Sequence, residues 1–216
     1  MIEIVTPENR DYCQDLLEAS YRMRYRVVVE ELGWKIPDVE PGREQDQFDT
    51  DDTVYFLAPS PSGDEVLGCF RFNPTTKPHM LSEVFPEFCD QKGIPRSDTI
   101  LEASRFILDR RACGNKYEWT KVRQSLGLAA TEYCLNHGIE GMTWLTHHQF
   151  FSLICETYDS EALGLPRIRY YDDQTYIAAL SKVDEATWRR QRASYVCGND
   201  LVAIERVPLV YSAKAA

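Results

Sequence analysis

The chain has 216 residues, 44% of them hydrophobic and 12% aromatic, which supports one packed core and excludes wholesale disorder. Its formal net charge of −10 excludes a nucleic-acid binder built on a cationic face, but not a local arginine cluster for anionic ligands. Seven scattered cysteines without a C-x-x-C pair, and no run near the roughly 20 apolar residues of a membrane span, predict a cytoplasmic chain with free thiols and no membrane partner.

Residues 2–5 read as a short strand. Pro7 then opens a helix over about 9–32, with Leu16, Leu17, Tyr21 and Tyr25 at helical spacing and Gly33 as its stop. Residues 37–52 form an acidic loop, a composition that usually marks a solvated or mobile segment. Strands over 53–58 and 65–72 flank the hairpin signal Pro59-Ser-Pro-Ser-Gly63. A short helix is predicted over 81–88, a central strand over 99–108 and a long helix over 118–136. A buried strand over 142–146 and a helix over 148–157 follow, then strands near 168–171, 176–180 and 201–207. This order predicts a single α/β domain over 1–216 with a mixed sheet. The pair His147 and His148 would point about 100° apart on a helix, so no metal site is expected.

Three groups of residues carry possible chemistry, and each has a plain structural explanation when taken singly. Taken alone, Arg24 and Trp34 read more readily as a surface arginine and a core tryptophan. Glu44-x-Asp46-x-x-Asp49 could converge on a cation or an amine, or could simply be solvated; it lacks the layout of a calcium loop. Arg71 and Glu102-Ala-Ser-Arg105 place charges inside apolar strands, where burial requires a partner or a ligand. Glu102 and Arg105 are an odd number of residues apart and would face opposite ways on a regular strand, so one pocket can use both only through a bulge or a splay.

Arg24, Trp34, Glu44, Asp46, Asp49, Arg71, Phe85, Glu102 and Arg105 stand in the order of the signature residues of the LuxI-type autoinducer synthases, which the chain resembles. The segment Leu101-Glu-Ala-Ser-Arg-Phe106 resembles that family's second signature block. The match runs from about residue 22 to 106 and weakens beyond. Val28 departs from the family's usual Phe, removing an aromatic wall near the nucleotide pocket.

The resemblance implies a GNAT-like three-layer α/β/α sandwich with a mixed, twisted sheet splayed between two central strands. It implies an acyltransferase that joins an acyl thioester to the amine of S-adenosylmethionine, closes the lactone and releases methylthioadenosine, making an N-acyl-homoserine lactone quorum-sensing signal. S-adenosylmethionine is then a substrate, and no cofactor is expected. Arg71 and Arg105 are candidate grips for its carboxylate, Asp46 and Asp49 for its cationic side, Trp34 and Phe85 for packing, and Arg24 for tying the acidic loop to the helix. Glu102, ahead of Glu44, is the candidate base, with Arg105 beside it. Ser104, Phe106, Met142, Thr143, Trp144 and Phe150 are candidates for the acyl pocket. Thr143 matches a hydroxyl position associated with 3-oxo chains, and the aromatic residues suit a branched or aryl group. Family members take the acyl group from an acyl carrier protein or from acyl-CoA. The absence of Lys and Arg from residue 124 to 166 favours acyl-CoA over an acidic carrier. Rival readings are a GNAT-type N-acyltransferase with another amine acceptor and a non-enzymatic acidic binding module.

Overall fold

The computed structural model describes residues 1–168, 174–196 and 203–205. The predicted strands near 168–171 and 201–207 therefore lie partly outside the described residues. Strand β1 is Ile2–Val5. Helix α1, Gln14–Arg24, does not run on as one regular helix to residue 32: from Tyr25 to Glu31 it widens into π-type turns. Three successive β-branched residues, Val27-Val28-Val29, crowd a regular helix here, and the amides of Leu32 and Trp34 reach back to the carbonyls of Val27 and Val28. Gly33, at φ +67°, ends the segment.

Strands β2 (Val54–Pro59) and β3 (Val66–Pro74) form the expected hairpin. The predicted helix over 81–88 is instead two pieces, α2 (Met80–Glu83) and a 3-10 turn (Pro86–Cys89), because Pro86 cannot continue a helix. Strand β4, Ile100–Leu108, leads into the one-turn α3 (Arg110–Cys113) and the long α4 (Lys116–Asn136), whose first turn Asn115 caps. After β5 (Gly141–His147), a 3-10 turn and α5 (Phe151–Cys155) replace the longer predicted helix. The rest comprises β6 (Asp159–Ala162), β7 (Arg167–Ile168), β8 (Thr175–Lys182), α6 (Glu185–Ser194) and β9 (Ala203–Glu205).

The described strands form one mixed sheet in the order β6-β8-β5-β4-β3-β2-β1-β9, with β7 on the same edge of β8 as β6. Helix α1 and the α2 segment cover one face; α4 and α6 cover the other. This is the expected three-layer arrangement. The α4 face holds the larger core, where Phe56 stacks on Phe70 with ring centroids 4.2 Å apart and Leu126 and Ala129 are wholly buried. Burying a side chain the size of Phe56 contributes about 1.5–3 kcal/mol.

Two departures from regularity shape the centre of the sheet. Strands β4 and β5 run parallel but pair only through residues 100–102 of β4 and 141–143 of β5, then part. Against β3, β4 carries an extra residue: Arg71 faces Ser104, yet Cys69 faces Ile107. Arg105 sits in this bulge at φ +55°, a left-handed conformation that costs a non-glycine residue about 1 kcal/mol or more.

Candidate active site

The bulge answers the parity problem between Glu102 and Arg105. Without it, Phe106 would follow Glu102 and Ser104 onto the α1 face. With it, the Arg105 side chain reaches the Glu44 and Asp46 carboxylates near Arg71 and Ser104, while Phe106 turns to the other face and stacks on Phe70.

On the α1 face three guanidinia and three carboxylates alternate in a closed ring. Arg24 donates to Glu44 and, through both terminal nitrogens at 2.9 Å, to Asp49. Arg71 contacts Asp49 at 2.7 Å and Asp46 at 2.8 Å, and its Nε donates to Ser104 Oγ. Arg105 closes the ring, at 2.6 Å to Asp46 and 2.9 Å to Glu44. The acidic loop is thus folded inward: Glu44 and the Asp49 side chain are wholly buried, not solvated as the composition of the loop suggests. Its backbone is tied down as well, by the Glu44 amide on the Tyr21 carbonyl and the Asp46 amide on the Asp49 carboxylate. Arg24 and Arg71 are 1% exposed; Arg105, at 13%, is the guanidinium of the ring open to a ligand.

Burial alone would raise the three carboxyls. Arg71 and Arg24 outweigh it at Asp49, Arg71 and Arg105 at Asp46, and Arg105 and Arg24 at Glu44, so all three are held below the usual carboxylate range. Glu102 behaves oppositely. It is wholly buried and accepts hydrogen bonds from the Met80 and Leu81 amides at 2.8 and 2.7 Å, at the start of α2. Burial is the dominant influence and prevails over those amides, His79 and Arg71, leaving the carboxyl above its ordinary value.

The remaining candidate residues are dispersed around this centre. Trp34 is half-buried at the margin of the α1-face core. Phe85 packs edge-on against Phe88, ring centroids 6.0 Å apart, in a separate apolar cluster with Leu81 and Tyr176. Thr143 pairs with Glu102 across the last contact before β4 and β5 separate. Met142 and Trp144 belong to the α4-face core, and the Trp144 indole donates to Ser181 Oγ. Phe150 is 45% exposed, edge-on to His147, while Phe106 is 51% exposed. Ser104, expected at the acyl pocket, is bonded to Arg71 within the polar face.

A family model described as autoinducer synthase matches residues 9–184. The chain belongs to the autoinducer synthase family. It is 39% identical over 141 residues to isovaleryl-homoserine lactone synthase of Bradyrhizobium diazoefficiens, a match covering 64% of this chain and 60% of that protein. The chain thus spans less than two thirds of the length of the curated relatives it matches first. Among solved structures it is similar to a CoA-dependent acyl-homoserine lactone synthase, BjaI, determined with SAM and isopentyl-CoA, at TM-score 0.84 and 31% identity over 96% of this chain and 94% of that one. A second CoA-dependent acyl-homoserine lactone synthase, MesI, shares the fold at TM-score 0.82 and 24% identity, over 95% of this chain and all of that one.

Several neighbours in this family member's site were not evident from the sequence. Tyr55 donates to Asp49 and is bonded to Tyr21, so two tyrosines back the ring. His79 stands at the head of α2, with Ser82 three residues on bonded to its amide; that N-cap to N3 spacing was a readable signal, although His is an unusual cap. Burial pushes the Cys69 and Cys134 thiols up to about 12 and Cys89 up to about 11, away from the thiolate form that a nucleophile needs. Among the described residues no acidic, His or Cys cluster could hold a metal ion, and no helix is long and apolar enough to cross a membrane.

Proposed function

We propose that this chain synthesises an N-acyl-homoserine lactone from S-adenosylmethionine and an acyl-CoA. The observation that carries the reading is the opening between β4 and β5, with Glu102 and Thr143 at its apex and the charged ring on one side. Two substrates can meet there, one reaching the polar face and the other entering between the strands.

Arg105 is the grip for the substrate carboxylate, being the ring guanidinium with exposed surface; Arg71 and Arg24, both at 1%, hold the frame. The acidic members Asp46 and Asp49 favour the cationic amine and sulfonium, with Trp34 as a packing surface and Phe85 supporting the wall behind. Glu102 takes the proton from the amine, its raised carboxyl bringing it nearer the pH at which a general base works. Past Glu102, the edge of β4 facing β5 has no strand partner among the described residues, so its amides can donate to the oxyanion of the tetrahedral adduct. The thiolate departs; the carboxylate then attacks the carbon beside sulfur, closing the lactone and expelling methylthioadenosine. Because this second step needs only alignment, Arg105 and Glu44 serve it by fixing the carboxylate.

The donor reading rests on charge and on kinship. No Lys or Arg occurs from residue 124 to 166, which includes most of α4 and all of α5, so these segments present no cation of their own to an acidic carrier protein. The relatives noted above are named for isovaleryl transfer and for CoA dependence. Met142, Trp144, Phe106 and Phe150, with Thr143 at the apex, would form a short pocket suited to a branched acyl group.

The test is incubation with methionine-labelled S-adenosylmethionine and isovaleryl-CoA, or the same acyl group on a carrier protein. Labelled lactone and methylthioadenosine should form, faster from the CoA thioester. No methylthioadenosine from any thioester would overturn the synthase reading, and equal rates would overturn the donor preference.

A further inference from the structure

Around Glu102, three buried polar atoms have no hydrogen-bond partner among the described residues: Asn73 Nδ2, His79 Nε2 and Thr143 Oγ1. Asn73 and Thr143 are the strand neighbours of Glu102 on β3 and β5, and His79 directly precedes the two amides that hold its carboxylate. Each such atom costs about 1–3 kcal/mol if left unsatisfied, so three around one carboxyl mark a place prepared for something more.

Of the three, only His79 can take up a proton. Its ring is wholly buried, and Nδ1 lies 2.8 Å from the Lys77 carbonyl oxygen. A carbonyl can only accept, so Nδ1 carries the hydrogen and Nε2 presents a lone pair. The imidazole is near enough to Glu102 for its charge to favour the carboxylate.

Proton counting shows why a second acceptor is needed, given the reading of Glu102 as the base. An α-amine with a pKa of about 7.7–8.0 arrives largely as ammonium at neutral pH. Turning it into an amide removes two protons, and a single carboxylate holds one. We propose that His79 Nε2 is the acceptor of the first proton, received through Glu102. The ammonium gives a proton to the Glu102 carboxylate, which passes it through a bridging water to Nε2 and is regenerated near an imidazolium. The neutral amine forms the C–N bond, and the carboxylate takes the second proton. The C–S bond breaks with its electron pair on sulfur, and the thiolate receives the proton from Glu102. The imidazolium proton leaves to solvent when the products depart. His79 is in this sense a positioning residue, acting through Glu102 and not on the substrate.

The other charged or titratable groups facing Glu102 are Arg71 from β3 and Cys89 from the turn after α2. Arg71 is pushed up from an already high value and Cys89 up to about 11, so neither changes charge in the window of the test. His79→Asn retains a donor for the Lys77 carbonyl but cannot accept a proton at Nε2. Its kcat should fall at least roughly tenfold at about pH 6.5, and the deficit should shrink to about twofold or less near pH 9, where the amine arrives neutral. S-adenosylmethionine binding should stay within about twofold of wild type throughout. A purely structural role gives a deficit that does not vary with pH, and that result, or no deficit, overturns the inference. If His79→Asn does not fold, His79→Gln is read by the same pH comparison. Glu102→Gln run in parallel separates the two readings. If it retains turnover, the base assignment fails and takes this inference with it. If it is inactive while the His79 variant shows no pH-dependent deficit, the inference alone fails.

Discussion

Glu102 and the trio Glu44, Asp46 and Asp49 lie on the same face of the sheet, and their surroundings differ in kind. Each carboxylate of the trio touches two guanidinia and each guanidinium touches two carboxylates, so the ring closes on itself. Glu102 has two backbone amides and a rim of unsatisfied polar atoms. The first arrangement has little reactivity left, because its charges are already answered. The second keeps capacity in reserve. In one active site, framework and chemistry are thereby assigned to separate carboxylates.

Breaking the ring should give the largest effect. Arg71→Ala leaves Asp46 and Asp49 each short of a buried partner and should cost about 3–5 kcal/mol, measured as a lowered urea midpoint. A midpoint within error of wild type would mean the ring does not hold the fold together. Glu102→Gln should reverse the pattern: turnover falls at least about 100-fold in a methylthioadenosine-release assay, while stability drops by only about 1–3 kcal/mol.

The two sites also respond to pH with opposite sign. The trio is held below the carboxyl values of about 3.9–4.3 expected in the unfolded chain, so its stabilisation is complete above that range and disappears as pH falls through the lower folded values. Glu102 is held above its unfolded value, so its contribution is complete below about pH 4.3 and is lost as pH rises through the folded value. Denaturation curves from about pH 4 to 7 should therefore show a loss assignable to Glu102 that Glu102→Gln removes; an unchanged slope in that variant would contradict the assignment. The smallest effect belongs to Arg43, whose pair with Glu18 is partly exposed: Arg43→Ala should cost less than about 1 kcal/mol in the same assay.

The sequence shows how far such a contrast can be read in advance. Arg24, Arg71, Arg105 and the acidic trio were legible as a set because charges inside apolar strands need partners. Their pairing was not, since each arginine lies at least 20 residues from the carboxylates it meets. The same distance hid the burial of the acidic loop, which taken locally resembles a solvated run. Most strands and the long helix followed from apolar periodicity. Helix α6 escaped notice because only Trp188 in its ten residues is large and apolar, and its buried face is made by Thr187 and Gln191. Strand β6, Asp-Ser-Glu-Ala, carries no apolar alternation and is defined by its pairing with β8. Of the Glu102 corner, Glu102 and Thr143 were legible; the Met80 and Leu81 amides were not, for backbone amides leave no mark on composition.

The single extra residue in β4 also constrains how this site can change over time. Because Arg105 owes its direction to a count of residues, altering the count moves its guanidinium off the ring whatever stands elsewhere in the strand. Deleting one residue of the bulge would exchange the addresses of a cation and an aromatic ring in one event, removing Arg105 from the charged ring and sending the Phe106 position in among the carboxylates. Substitutions can therefore tune the two faces of β4 separately, whereas a length change alters both at once, and the segment should tolerate exchange far better than insertion or loss.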